Sequence, residues 1–248
     1  RVESSAASDV YKRQIYSTPH HHTVGWIGDQ LDDLQPHLFA DADLAGCVDT
    51  QRSTSGLYMA LRGPNSCFPI AGVSKRQTCV SHSTPEAEMV SMNLALRHCG
   101  LPCLNLWHAL LPHRPGLIVH EDNQAMIRIC ESGRNPTMRY LGRTHGISVA
   151  WLHEVFKGDD LALAYEVSSR TCADIFTKAF TDPDKWKSAC WLICVCDPKE
   201  LVQLASRSKE WDLPPPQSGG SLPTGDNDSE APKAGGTTKT SASHSSAS

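Results

Sequence analysis

Residues 117–124 read Leu-Ile-Val-His-Glu-Asp-Asn-Gln, an unbroken apolar run that leads directly into acidic and amide side chains. A short continuous apolar run is typical of a strand that is covered on both faces of a sheet. Asn123 suits the N-cap of a helix over residues 124–131, and Gly133 suits the end of that helix. This stretch therefore predicts a buried central strand that carries Asp122 to one edge of a sheet.

The residues before this strand predict three adjacent antiparallel strands. A short apolar run over residues 37–40 leads into Asp41. The runs 56–61 and 67–73 are separated by residues 62–65, whose Gly-Pro turn chemistry suits a hairpin loop.

A helix start is indicated between these strands and the central one. Ser83 offers a cap hydroxyl, Pro85 suits the first turn, and Glu86 stands where it can return a hydrogen bond to the cap. We expect this helix to run to Cys99 and to end at Gly100. The remaining pattern predicts helices over 104–111, 147–156 and 171–180 and a strand over 161–167. This order is typical of a mixed α/β fold.

The chain divides into four predicted parts. Residues 1–35 are expected to form an unstructured leader, of which the first fourteen look like a non-native join. Residues 36–182 form the predicted domain, and residues 183–211 form a partly helical extension. Residues 212–248 are rich in Pro, Gly, Ser and Thr and are expected to be disordered.

Composition limits the classes of protein to consider. The chain has 248 residues, 40% of them apolar, which suffices for one buried core. No apolar run approaches the roughly 20 residues that span a bilayer, and no secretion signal is present, so we expect an intracellular protein without a membrane partner. The ten cysteines are scattered, which favours reduced thiols. The spacing of Cys190, Cys194 and Cys196 fits no usual zinc site.

The net charge of −4 argues against nucleic-acid binding through bulk positive charge, but a local basic strip stays open. Four arginines stand near a single acidic residue, Glu131: Arg128, Arg134, Arg139 and Arg143. This stretch either faces phosphates or is a solvated surface.

Four acidic residues stand where a strand end or a helix face could present them to one point: Asp41, Glu88, Asp122 and Asp174. Oxygen ligands of this kind suit hard divalent cations, and two such cations can activate a water and neutralise a leaving oxygen in phosphodiester hydrolysis. Glu86 and Glu88 point about 200° apart on a helix, so only one can face this point, and we assign Glu88. From spacing alone, ordinary surface carboxylates are the alternative.

Several sequence blocks, in order along the chain, resemble the RNase H domain of copia-type retrotransposon Pol polyproteins. The blocks are FADADLAG (39–46) with TQRSTSG (50–56), SKRQ (74–77) with STPEAE (83–88), EDNQA (121–125) and ADIFTK (173–178). The resemblance implies an RNase H-like α/β fold, a five-stranded mixed sheet flanked by helices. It also implies that Asp41, Glu88, Asp122 and Asp174 are the catalytic residues and ligands of two Mg²⁺ ions, with Mn²⁺ as a substitute.

The implied function is cleavage of the RNA strand of an RNA–DNA hybrid by a ribonuclease H, with the reverse transcriptase part of the same polyprotein as a partner. The expected nucleic-acid contacts are Lys75, Arg76, Asn123, Gln124, Arg139 and Arg143. A protein recognises the RNA strand through its 2′-hydroxyls.

The chain also departs from the family pattern. Leu44 stands where the family usually has Trp, Pro85 is inserted in its block, and residues 143–148 match only loosely. Residues 167–173 contain no His that could serve as a proton shuttle. No polymerase, integrase or protease motif is present, which indicates a Pol fragment or a decayed remnant. The alternative function is therefore a catalytically silent RNase H fold that binds nucleic acid, or a remnant without function.

Overall fold

The structure is a computed structural model that describes residues 6–203, with side chains from residue 12 onward. Its centre is a five-stranded mixed sheet, and its strands are β2 (Gln35–Ala42), β3 (Thr54–Gly63), β4 (Ser66–Arg76), β5 (Leu117–Glu121) and β6 (Leu161–Tyr165). They lie in the order β4-β3-β2-β5-β6. Strands β2, β3 and β4 are antiparallel neighbours, whereas β5 is parallel to both β2 and β6. The predicted five-stranded mixed sheet is confirmed.

The register of the central strands decides which side chains meet. Phe39 of β2 lies opposite His120 of β5, and Asp41 of β2 lies opposite Gly56 of β3. Because β2 and β5 are parallel, their carboxyl ends reach the same edge of the sheet. Asp41 is the second-last residue of β2, and Asp122 directly follows β5. The two aspartates are therefore neighbours.

Helices flank this sheet, and their bounds follow from local signals. They are α2 (Thr84–Ala95), α3 (Leu101–Leu110), α4 (Gln124–Ser132), α5 (Leu141–Thr144) and α6 (Val149–Lys157). Asn123 caps α4 by accepting a hydrogen bond from the Met126 amide at 3.0 Å, and Gly133 ends it in the left-handed conformation at φ 68°. Both ends of this helix are as predicted.

Gly100 does not end a helix, and that prediction was wrong. The chain continues from α2 through a π-helical turn, Leu96–Gly100, directly into α3. Gly100 has a right-handed helical φ of −56°. A Cβ atom at this position would lie 2.9 Å from Leu117 and 3.0 Å from Leu38. The glycine therefore allows the helix to approach the sheet closely.

The predicted helix over residues 171–180 was also wrong. This range contains a short 3₁₀ turn, Cys172–Phe176, which follows another at Ser168–Arg170, and the next helix, α7, is Pro183–Leu192. The Phe176 carbonyl accepts a hydrogen bond from the Ser74 hydroxyl of β4 at 2.6 Å. In a helix, this carbonyl would accept a hydrogen bond from a backbone amide of the same helix. Contacts with the sheet determine the path of this segment.

The leader was expected to be unstructured, but within residues 6–35 it contains helix α1 (Ala6–Ser17) and strand β1 (His22–Thr23). Strand β1 pairs with β7 (Val195–Cys196) of the extension, and Trp26 forms an isolated bridge to Cys67 of β4. Up to residue 203, the extension contains α7 and β7. The predicted non-native join begins outside the described residues, and the predicted disordered tail, 212–248, lies wholly outside them.

Apolar side chains cover both faces of the central strands. Leu38, Leu57 and Met89 belong to a large cluster between the sheet and the helices. Phe39 and Tyr58, on the other face, pack with side chains of the leader and extension. The burial of both faces explains the continuous apolar runs of these strands.

All ten cysteines are free thiols. Cys190, Cys194 and Cys196 are buried in three different apolar clusters, so the structure does not gather them. Among residues 6–203, no helix has the length and apolar character needed to cross a membrane.

Leu38 tests the main core. Its side chain is 0% exposed, and we expect Leu38→Ala to lower the free energy of unfolding by about 2–5 kcal/mol, because the deletion leaves a cavity between sheet and helices. Leu106→Ala, at a position 50% exposed on α3, is the matched control and should change it by less than about 0.5 kcal/mol. Urea unfolding measures both, and equal losses would contradict this account of the core.

Candidate metal centre

Three of the four predicted carboxylates lie together at the edge where β2 and β5 end. Asp41, Glu88 and Asp122 each offer one oxygen, and these oxygens all lie within 4.8 Å of one another. Asp41 and Glu88 are only 1% and 3% exposed. The parallel strands supply two of the carboxylates, and α2, packed on the sheet, supplies the third.

Asp174 lies beside this group and is connected to it through a lysine. The Lys178 ammonium lies 2.8 Å from Asp174 Oδ1 and 3.2 Å from Asp41 Oδ1. The Thr177 hydroxyl donates a hydrogen bond to Asp41 Oδ2. The 3₁₀ turn that contains Asp174 thus brings the fourth carboxylate next to the other three.

Burial and mutual repulsion dominate the electrostatics of the centre. Burial, followed by the negative charges of Glu121, Asp41 and Asp122, raises the pKa of Glu88 to about 11. Burial and Asp41 also raise the pKa of Asp174 to about 7, although Lys178 opposes that shift. Glu88 therefore holds a proton at neutral pH while no cation compensates the neighbouring charges.

Glu121 is close enough to Glu88 to raise its pKa, although the sequence did not indicate Glu121 as a site residue. Its side chain is fully buried, and one oxygen accepts a hydrogen bond from the Asn123 amide at 3.0 Å. Its Oε2 has no hydrogen-bond partner among the described residues, and burial raises its pKa well above the ordinary range. An acidic residue at the end of a buried strand was the available signal, since Glu121 directly precedes the assigned Asp122.

Thr177 and Lys178 were also missed as site residues, although both belong to the ADIFTK block. The spacing from Asp174 to Lys178 is four residues, which suits an ion pair on one helical face. The structure makes this pair even though the segment is a 3₁₀ turn.

Glu86 points away from the carboxylate group, as expected, but it does not close the helix cap in the predicted way. Ser83 accepts a hydrogen bond from the Glu86 amide at 3.4 Å, which fulfils half of the capping box. The Glu86 carboxylate instead accepts hydrogen bonds from the His82 amide, the Tyr140 hydroxyl and the His145 ring. These partners connect α2 with residues around α5.

The predicted nucleic-acid contacts lie in three places: at the end of β4, near α5 and at the start of α4. Lys75 and Arg76 are exposed at the end of β4, and Arg139 and Arg143 are exposed near α5. Gln124 is exposed at the first turn of α4, whereas Asn123 is half-buried and caps that helix. Arg76 lies opposite Thr54 of β3, two residues from Gly56 and hence near the edge that carries Asp41.

The side chains present fit a divalent cation. Asp41, Glu88 and Asp122 could hold a metal ion, since their oxygens converge and hard cations prefer oxygen ligands. The buried Oε2 of Glu88 has no hydrogen-bond partner among the described residues, so one oxygen is available for a ligand. A bound cation would relieve the repulsion that raises the Glu88 pKa.

No protein-family model matches the chain. Over 152 residues, 56% of this chain, the sequence is 27% identical to the retrovirus-related Pol polyprotein from transposon TNT 1-94 of Nicotiana tabacum. The chain spans only 10% of the length of that relative. The predicted resemblance to a retrotransposon Pol polyprotein is thereby confirmed.

Among solved structures, the chain is similar to LC11-RNase H1, which was isolated from compost by a metagenomic approach. That likeness has a TM-score of 0.40 at 12% identity and covers 58% of this chain and 92% of the other. The mixed sheet in the order β4-β3-β2-β5-β6, flanked by helices, has the strand number and the layers that the sequence resemblance implied.

Gly56 tests how the Asp174 segment is positioned. A Cβ atom there would lie 2.8 Å from the Ala173 carbonyl oxygen and 2.6 Å from the Thr177 side chain. We expect Gly56→Ala to push this segment from β3 and to lower the free energy of unfolding by about 1–3 kcal/mol. In the control, Gly158→Ala, the nearest atom is 3.5 Å away, so the change should stay within about 0.5 kcal/mol. Chemical unfolding measures the free energy of unfolding of both variants. An unchanged value for Gly56→Ala would contradict the close packing.

Glu88 predicts an unusual pH dependence in the absence of divalent cations. The folded chain keeps the Glu88 proton up to a pKa of about 11, whereas the unfolded chain loses it near 4.5, so the folded state binds more protons between these values. The Glu88 contribution to the free energy of unfolding should therefore fall as pH rises above about 4.5, by up to about 1.4 kcal/mol per pH unit.

Glu88→Gln has no such proton to lose. In EDTA, the variant should gain stability relative to the wild-type chain as pH rises from about 5 to about 8. Urea unfolding across this range measures the difference, with Glu131→Gln as an exposed control. A difference that does not change with pH would show that Glu88 titrates normally.

Proposed function

We propose that this domain is a metal-dependent endonuclease that cuts the RNA strand of RNA–DNA hybrids as part of a copia-type retrotransposon Pol polyprotein. The observation that carries the proposal is the convergence of Asp41, Glu88 and Asp122 at the carboxyl ends of β2 and β5. The likeness to a retrotransposon Pol polyprotein supports a role in reverse transcription, with the reverse transcriptase part of the polyprotein as partner.

The four carboxylates would hold two Mg²⁺ ions, for which Mn²⁺ could substitute. When bound, these ions would make a water more acidic and neutralise the leaving oxygen. Asp41, Glu88 and Asp122 form the converging group, and Asp174 is held beside Asp41 by the shared contact with Lys178. The rigid sheet edge would keep these oxygens in place, and burial would limit the access of bulk water to them.

Exposed basic side chains would bind the hybrid. Lys75 and Arg76 stand at the end of β4, and Arg139 and Arg143 stand near α5, so phosphates could be contacted in two places. Asn123 and Gln124 follow directly after Asp122, where they could contact the strand next to the carboxylates. Discrimination of RNA from DNA would rest on contacts to 2′-hydroxyls.

A catalytically silent nucleic-acid-binding fold is the second candidate, and the state of Glu88 favours it. Because the Glu88 pKa is raised to about 11, a cation must displace a proton there at neutral pH. The buried Glu121 carboxyl contributes to this shift. A domain of this kind would bind hybrid through its basic residues but bind cations too weakly to cut.

The test of the nuclease proposal is cleavage of an end-labelled RNA–DNA hybrid in Mg²⁺. We expect the wild-type chain to cut the RNA strand and Asp41→Asn and Asp122→Asn each to lose more than about 100-fold in rate, since each removes a proposed metal ligand. Asp159→Asn, at an exposed position in the loop before β6, should retain the wild-type rate.

Equal rates in all four proteins would rule out the assigned carboxylates. Salt-dependent binding of the hybrid without any product from the wild-type chain would instead support the silent fold.

A further inference from the structure

Glu86 is fully buried on α2 and is the centre of a polar cluster that the carboxylate group does not use. Its Oε2 accepts hydrogen bonds from the Tyr140 hydroxyl at 2.7 Å and the His82 amide at 3.0 Å. Its Oε1 lies 3.1 Å from His145 Nε2, and the His145 side chain is also almost fully buried. A buried carboxylate needs such partners, so this arrangement specifies one position for each of them.

The partners of Glu86 belong to the segment that carries two of the exposed arginines. We call residues 136–145 the arginine segment. It consists of a 3₁₀ turn, Pro136–Met138, and the four-residue helix α5, both too short to be stable alone. Arg139 directly follows the 3₁₀ turn, Arg143 belongs to α5, and both are exposed.

Apolar contacts also hold the arginine segment to the fold. Met138 and Leu141 are buried in the main core. The Cys79 thiol donates a hydrogen bond to the Thr144 carbonyl at 2.9 Å. The bonds of Tyr140 and His145 to Glu86 are the polar contacts that connect this segment directly to α2.

The helix also fixes the direction of Glu86 relative to the carboxylate group. It stands two residues before Glu88 on the same helix, so the two side chains point about 200° apart. One side of α2 therefore presents Glu88 to Asp41 and Asp122, while the other holds the arginine segment. A shift of this segment relative to α2 would change the distance between the arginines and the carboxylates.

We propose that Glu86, through Tyr140 and His145, is a positioning residue that sets Arg139 and Arg143 at the distance from the metal-binding carboxylates that the sugar-phosphate backbone requires. This inference rests on the proposed function, because it assigns the two arginines to the hybrid. Glu86 touches neither the substrate nor the reacting atoms. Its role is in substrate binding, and the chemical step depends on the carboxylates on the other side of α2.

The first experiment measures the position of the segment without nucleic acid. Trypsin cleaves after arginine, so the rate of cleavage after Arg139 and Arg143 reports how often the segment leaves the fold. We expect Tyr140→Phe and His145→Asn to raise this rate by at least about threefold at a temperature well below the thermal midpoint of each variant. Tyr16→Phe and His108→Asn, which remove the same groups at an exposed position of α1 and on α3, are the matched controls and should not raise it.

The second experiment is a binding cycle with a labelled RNA–DNA hybrid in Ca²⁺, which takes oxygen ligands with looser geometry than Mg²⁺. We expect His145→Asn to weaken binding roughly tenfold and the double variant Arg139→Ala, Arg143→Ala to weaken it at least as much. Because His145 acts through the arginines, adding His145→Asn to the double variant should cost no more than about twofold. In Mg²⁺, His145→Asn should raise KM while kcat stays within about twofold.

Trypsin rates that do not differ from those of the controls would overturn the inference. So would a binding cycle in which the losses from His145→Asn and from the arginine variant multiply. A fall in kcat at constant KM would also contradict a role in binding. A wild-type chain that neither binds nor cuts hybrid would overturn the proposed function itself. The trypsin comparison then still decides whether Glu86 holds the segment, so the two failures are distinguishable.

Discussion

The electrostatic repulsion between carboxylates gathered at one buried edge of the sheet is the constraint on which the site depends. Asp41, Glu88 and Asp122 converge to within 4.8 Å. The structure contains two responses to this repulsion, a proton retained on Glu88 and the ammonium of Lys178 beside Asp41. A divalent cation would have to replace this proton and displace this ammonium, and its charge would then compensate the carboxylates.

The fold has to hold this unfavourable arrangement, and the burial of the central strands explains how it does so. Strand β2 has helices on one face and the leader and extension on the other, since Phe39 belongs to one cluster with Trp26 of the leader and Cys194 of the extension. The close approach of the Asp174 segment to Gly56 adds a further rigid contact. On the far side of α2, Glu86 gives the same helix a second, purely polar attachment.

Local signals let the sequence predict the sheet and the path from β5 into α4, because an apolar run and an Asn cap act within a few residues. Gly100 and residues 171–180 were misread because distant contacts decide there: Gly100 packs against Leu117, and the Phe176 carbonyl bonds with Ser74. The pairing of β1 with β7 joins residues about 170 positions apart, which no local pattern reveals. Glu121 could not be assigned from the sequence, because its influence on the site depends on its burial in the fold.

The most direct measurement is the position of a bound cation in a crystal of the domain soaked in Mn²⁺, read from anomalous scattering. We expect anomalous peaks between the side-chain oxygens of Asp41, Glu88 and Asp122, with Lys178 moved away from Asp41. Crystals with saturating Mn²⁺ that show no peak among these oxygens, or peaks only elsewhere on the molecule, would contradict the assignment of this edge as a metal centre.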